Sequence, residues 1–122
     1  MPGKPKAGLI VDDFRRLALS MPEAEEKSHM GHPDFRVNNK IFATLQPDGR
    51  TGMVALNPER QREFVTENDA VFSPVPGGWG EKGATLVRLE AAGEEIVERA
   101  LAAAYRLKTA VRPRKPASRK RL

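Results

Sequence analysis

Apolar residues recur at helical spacing near both ends of the central part of the chain. Ile10, Phe14, Leu17 and Met21 follow one another at steps of four, three and four, which predicts a helix that ends at Pro22. A second helix is predicted near residue 100, because the segment begins with acidic residues and ends with basic ones, as the helix dipole favours. Its inward stripe consists of Val97, Ala100, Leu101, Ala104 and Leu107.

Between these helices the apolar period changes to two, which is the period of β-strands. Strands are predicted over 35–37 and 41–45, joined by a tight turn at Asn38-Asn39, and Ile41, Ala43 and Leu45 are expected to share one face. A Pro-Asp-Gly turn at 47–49 leads into a strand over 51–56. The segment 27–33 is predicted to be a loop or a short edge strand.

The remaining elements complete an α+β pattern. Asn57 caps a predicted helix over 58–68, an edge strand with prolines follows over 71–75, and another strand lies over 85–89. The order is therefore α-β-β-β-α-β-β-α. Because strands do not alternate with helices, we expect an antiparallel sheet packed by helices and not a parallel one.

The chain of 122 residues is long enough for one hydrophobic core. We expect a flexible N-terminus over 1–8, a single domain over 9–111 and a disordered basic tail over 112–122, because neither end has apolar periodicity. The absence of cysteine excludes a disulfide framework and a thiol nucleophile. No apolar run approaches a membrane span, so a cytoplasmic protein without a membrane partner is expected.

The net charge of +5 is unevenly distributed along the chain. Residues 7–111 contain thirteen basic side chains and all sixteen acidic ones, a net charge of −3, so attraction to phosphate would come first from the ends. The basic residues of the tail are Arg112, Arg114, Lys115, Arg119, Lys120 and Arg121.

Several short segments resemble, in their joint order, the MmcQ/YjbR family of small bacterial proteins over about residues 9–108. These segments are Gly31-His32-Pro33-Asp34-Phe35-Arg36-Val37, the hairpin continuing into Ile41-Phe42-Ala43, Trp79-Gly80, and Ala104-Tyr105-Arg106-Leu107. The resemblance implies a two-layer fold of one antiparallel sheet under helices. It also implies DNA binding through two hairpin wings, and it implies no established chemistry.

The segment 78–83 matches the glycine pattern of a dinucleotide site without its context. Such a site needs a helix after the glycines, whereas a strand is predicted here, so no cofactor is expected. We interpret the segment as a flexible connection between two strands. Trp79 within it is expected either to pack over the sheet edge or to be exposed as a contact residue.

His29 and His32 lack a third firm metal ligand, so no metal site is predicted. Beside the sheet they are expected to be hydrogen-bonded loop residues, or to line a small pocket with Arg36 and Trp79. No serine lies in a nucleophile elbow, and no catalytic residues are predicted.

Basic residues at or beside the predicted hairpin tips suggest a nucleic-acid contact. They are Arg36, Lys40, Arg50 and Lys82, to which the six basic residues of the tail are added. The leading hypothesis is a non-enzymatic accessory protein that binds DNA or RNA. The alternative is a module that binds a protein or a small ligand on the sheet face and at His29, Arg36 and Trp79.

Overall fold

Six strands form one antiparallel sheet in the order β1-β2-β3-β4-β6-β5 in the computed structural model, which describes residues 8–29 and 31–110. The strands are β1 (Glu25–His29), β2 (His32–Val37), β3 (Lys40–Leu45), β4 (Thr51–Ala55), β5 (Phe72–Pro74) and β6 (Ala84–Arg88). The helices are α1 (Val11–Leu19), α2 (Pro58–Glu67), α3 (Gly78–Glu81) and α4 (Glu94–Thr109), with a 3-10 turn at Leu89–Ala91.

Three helices cover one face of this sheet and enclose the hydrophobic core. Each of them is joined to the sheet by an edge-to-face pair of aromatic rings, an arrangement that adds to the effect of apolar burial. The pairs are Phe14–Phe35 for α1, Phe64–Phe72 for α2 and Tyr105–Phe42 for α4. Among the described residues, none of the three long helices lies on the opposite face, which we call the open face.

The predicted fold class is confirmed, and so is the chemistry of two turns. Asn38 and Asn39 both adopt positive φ, as a two-residue hairpin requires. The Asp48 carboxylate accepts hydrogen bonds from the backbone N–H groups of Arg50 and Thr51, so it closes the next turn on itself. Asn57 caps α2 by accepting from the N–H of Arg60.

The first strand is the main addition to the predicted order. The segment 27–33, predicted as a loop or a short edge strand, contains the second half of β1 and the start of β2. β1 pairs antiparallel with β2 and forms one edge of the sheet, in agreement with the edge-strand alternative. Its charged and polar sequence lacks the apolar alternation by which strands are recognised. Ile10 also differs from prediction: it precedes α1 and is exposed, because the helix begins at Val11.

A bulge changes which side chains of β3 face the helices. The partners of β2 shift from Phe35↔Ala43 to Arg36↔Ile41, so Phe42 is the extra residue of the pair. Phe42 is therefore buried against α4, while Ile41 joins Thr44 on the open face. The expectation that Ile41 shares a face with Ala43 and Leu45 is wrong, because strict alternation does not hold across a bulge.

Both predicted terminal segments lie almost wholly outside the described residues, so their predicted flexibility stays a prediction. Gly8 is described, and the N–H of Leu9 beside it donates to the carbonyl of Leu89. Among residues 8–29 and 31–110, no helix has the length and apolar character needed to cross a membrane.

Candidate functional site on the open sheet face

A groove of about 510 Å³ runs along the open face from Gln46 to Trp79. Its floor comes from alternate residues of β3, β4 and β6, since every second side chain of a strand faces this side. The floor residues include Ile41, Thr44, Met53, Ala55 and Ala84. Among the described residues, Lys82 and Lys108 are the only charged ones that line the groove, so these residues give it a positive local charge.

Trp79 forms one wall of the groove and is 75% exposed. It lies in α3, a single helical turn between β5 and β6. The interpretation of this segment as a flexible connection is therefore wrong. Position 80 requires glycine, because a Cβ there would overlap the carbonyl oxygen of Val75. The glycine permits the turn to pack directly on the end of β5.

The α3 turn is also held from α2 by one side-chain amide. Nε2 of Gln61 donates to the carbonyl oxygens of Gly80 and Ala84, at 2.9 and 3.0 Å. The first acceptor lies within the turn, and the second lies just after its end. The exposed indole of Trp79 therefore extends from a fixed backbone, and its exposure does not arise from a loosely held loop.

The two lysines of the groove make no ion pair with any residue the structure describes. Lys82 follows Trp79 at the end of α3, and Lys108 is in the last turn of α4. A lysine in that last turn also interacts favourably with the helix dipole, so this position alone does not indicate a ligand. The shared lining of one groove is the observation that brings the two charges together.

Arg36 is in a different setting. Its guanidinium donates from Nε and Nη2 to the two carboxylate oxygens of Asp34, at 2.8 and 3.1 Å. Asp34 is only 2% exposed, and the hydrogen bond to it raises the pKa of Arg36. Arg36 lines a second cavity, with Glu25 and Lys27 of β1, and does not line the groove of Trp79. Its charge is already neutralised by a bidentate partner.

The structure separates the other predicted hairpin residues. Lys40 begins β3 at the same end of the sheet as Lys82, but it pairs with Val37 and so shares the face of the helices. Arg50 lies in the β3–β4 turn at the opposite end. In that turn the hydrogen bond from the Arg50 N–H lowers the pKa of Asp48. These cations do not form one patch.

The two histidines are neighbours in the sheet. His29 and His32 are backbone partners at the β1–β2 turn, at the end of the sheet away from Trp79. The structure shows His32 as exposed, and the side chain of His29 lies outside what it describes. The predicted pocket shared by the histidines, Arg36 and Trp79 is therefore not assembled. Within the described part of the chain, no three metal-ligating side chains cluster.

Two residues of the groove and its support cannot be recognised in the sequence. Lys108 is one of the basic residues at the end of the last predicted helix, and Gln61, which holds the α3 turn, is one polar residue among many on α2. Their proximity to Trp79 depends on how helices and sheet pack. The bulge that moves Ile41 into the groove also has no clear sequence signal. The predicted contacts of the tail, from Arg112 to Arg121, lie outside the described residues.

The profile of the YjbR family matches residues 19–107 of this sequence. The chain belongs to the YjbR family. A solved relative in fold is the crystal structure of Deinococcus radiodurans protein DR2400, with domain DUF419, which matches with a TM-score of 0.67. At 17% sequence identity, over 95% of this chain and 87% of that one, the match shows a common fold. No curated protein matches this YjbR-family chain.

Proposed function

We propose that this YjbR-family protein is a non-enzymatic accessory protein that binds nucleic acid, with the groove of Trp79 as its folded contact surface. The observation that carries the proposal is the lining of that groove. An exposed aromatic ring lies beside two lysines, and within the described part of the chain these lysines have no ion-pair partner and no carboxylate lines the cavity. Aromatic and basic side chains together suit the bases and phosphates of a nucleic acid.

The charge of the rest of the molecule restricts where phosphates can bind. Residues 7–111, which we call the body, contain thirteen basic and sixteen acidic side chains and so have a net charge of −3. Six of the thirteen basic residues are in ion pairs among the described residues: Arg15, Arg16, Lys27, Arg36, Arg60 and Arg99. A favourable contact on the body therefore depends on local clusters of free lysine or arginine.

The basic tail is the second component of the proposed contact. Arg112, its first basic residue, is four positions after Lys108 in the sequence. The described part of the chain ends at Ala110, two positions after this lysine of the groove. Phosphate contacts from the tail would add affinity without sequence preference, since phosphates carry no sequence information.

A small ligand is the second candidate, and the dimensions of the groove favour it. A concave site of about 510 Å³ falls within the usual range of small-molecule sites, about 300–1,000 Å³. Its apolar floor and two lysines would suit a flat apolar molecule with an anionic group. A protein partner on the open face would use the same residues.

Equilibrium binding of fluorescently labelled DNA and RNA to the full-length protein tests the proposal. Affinity should fall steeply with added salt, because bound lysines and arginines release counterions from the phosphates. Absence of binding at about 0.1 M salt, where charges beyond about 10 Å are largely screened, would contradict nucleic-acid binding. Binding of a small anionic aromatic compound in the same assay would then support the second candidate.

A further inference from the structure

We propose that the groove selects single-stranded nucleic acid, by stacking an unpaired base on Trp79 between phosphates bound at Lys82 and Lys108. This inference rests on the proposed function and specifies its ligand. It begins with the indole, which is exposed although its backbone is fixed by Gly80 and by the amide of Gln61. Because this backbone is held, a ligand that stacks on the ring has to restrict only the side-chain rotations of Trp79 and not the turn that carries it.

The floor beside the ring has the character expected of a base site. Ile41, Met53 and Ala55 offer apolar surface in the same groove as Trp79. Thr44 and Gln46 also line it, and although Nε2 of Gln46 donates to the Thr44 hydroxyl at 3.2 Å, the hydroxyl hydrogen and the amide oxygen remain for a ligand. A base is a flat ring with apolar faces and polar edges. It can stack on the indole and still reach hydroxyl and amide groups at its rim.

Stacking on Trp79 requires an accessible base face, which favours a single strand over a duplex. In a duplex both faces of each base are covered by neighbouring bases, so an aromatic wall can be used only if a base leaves the stack. A duplex would also extend beyond the groove over a body of net charge −3. Two of the other basic residues without an ion pair in the described chain lie away from the groove, with Arg50 at the other end of the sheet and Lys40 on the helix side.

Charge complementarity also argues against the chain's own tail as the occupant. The tail carries six basic residues and no acidic one, and it would bring these charges towards Lys82 and Lys108. An anionic polymer is attracted by both the groove and the tail. A nucleic-acid strand could pass from one lysine to the other, with one of its bases stacked on Trp79 between them.

The test uses the full-length protein and a single strand of about ten thymidines, which is within the usual site sizes of about 4–16 nucleotides. Trp79 is the only tryptophan, so its fluorescence reports stacking directly. We expect saturable quenching by the single strand. We expect much weaker quenching by a duplex of equal length, and none by an abasic strand with the same phosphates.

Variants of the groove give the second readout. Trp79→Ala should weaken single-strand binding by roughly tenfold to a hundredfold, Trp79→Phe should recover part of the loss, and neither should weaken duplex binding as much. Lys82→Gln with Lys108→Gln should reduce the salt slope by about 1.4 on a single strand. Lys40→Gln with Arg50→Gln is the matched control and should leave the quenching unchanged.

The outcomes separate the two levels of the proposal. Equal binding of single strand and duplex, unaffected by Trp79→Ala, would overturn the base site while nucleic-acid binding remained. Quenching by the abasic strand as strong as that by the thymidine strand would also overturn stacking. No binding of any nucleic acid by the full-length protein would overturn both. Because Trp79 is mostly exposed, its replacement should leave the melting temperature nearly unchanged, which is measured alongside.

Discussion

Two regions of the open sheet face carry basic side chains in different electrostatic settings. On β2, Arg36 is engaged by both oxygens of buried Asp34. In the groove, Lys82 and Lys108 have no ionic partner among the described residues and lie beside an exposed indole. The sequence presents Arg36 and Lys82 as equivalent basic residues near turns. Their difference shows that a cation becomes available to a ligand only if the fold leaves it unpaired.

The largest effect on stability should come from breaking the pair on β2. Arg36→Met would leave the carboxylate of Asp34, 2% exposed, without its bidentate partner, and should lower the Tm on the order of 10 °C. Lys82→Met, which removes a free lysine, should stay within about 3 °C of the parent. Thermal denaturation followed by circular dichroism measures both.

A double variant checks the cause of that loss. Adding Asp34→Asn to Arg36→Met removes the uncompensated charge and should restore part of the Tm, because the two side chains interact directly. If Arg36→Met and Lys82→Met were equally harmless, the contrast between the two regions would be wrong.

The next effect concerns the tail. Replacing its six basic residues by glutamine should reduce the slope of log K against log salt on duplex DNA by about 5, at about 0.9 for each phosphate contact. The Tm should not change, since the tail has no apolar face to bury. A neutralised tail that left affinity and slope intact would assign the contact to the body alone.

A smaller effect should follow from releasing α3. Gln61→Ala removes the amide that bonds to the carbonyls of Gly80 and Ala84, each of which keeps a backbone donor, so the cost should be about 1 kcal/mol. The fluorescence anisotropy of Trp79 should decrease as the turn gains freedom. Arg62→Ala, on an exposed position of the same helix, is the control and should leave the anisotropy unchanged.

The smallest predicted effect is a pH dependence at the β3–β4 turn. Hydrogen bonds from Arg50 and Thr51 lower the pKa of Asp48, so its stabilising contribution is complete above the ordinary aspartate pKa of about 4. The contribution is lost as pH falls through the lower pKa of the folded state. Asp48→Asn should therefore have a lower Tm than the parent at pH 7, and the difference should shrink towards pH 2. A difference independent of pH would contradict this cause.

The sequence predicts the framework of the fold from local rules. Asn38-Asn39, Asp48 and Asn57 each act through their own backbone neighbourhood, so their turns and cap can be recognised without knowledge of packing. The charged strand β1 and the bulge at Phe42 escape these rules. Both depend on partners in a neighbouring strand.

The candidate site was predictable only in part. Trp79 and Lys82 attract attention as an aromatic and a basic residue in a glycine-rich segment. That Gly80 permits a close approach, and that Gln61 fixes the turn, depends on contacts with β5 and α2. The pairing of Arg36 with Asp34 could not be predicted from the sequence either, although the two residues are only two positions apart.

Charge reversal tests the central claim, that the groove is the folded contact surface for nucleic acid, most directly. Lys82→Glu with Lys108→Glu and Lys40→Glu with Arg50→Glu change the net charge equally, and both keep the tail. At about 0.1 M salt the groove pair should weaken single-strand binding by roughly tenfold or more, and the control pair by less than about threefold. Equal losses, or a larger loss in the control pair, would contradict the account.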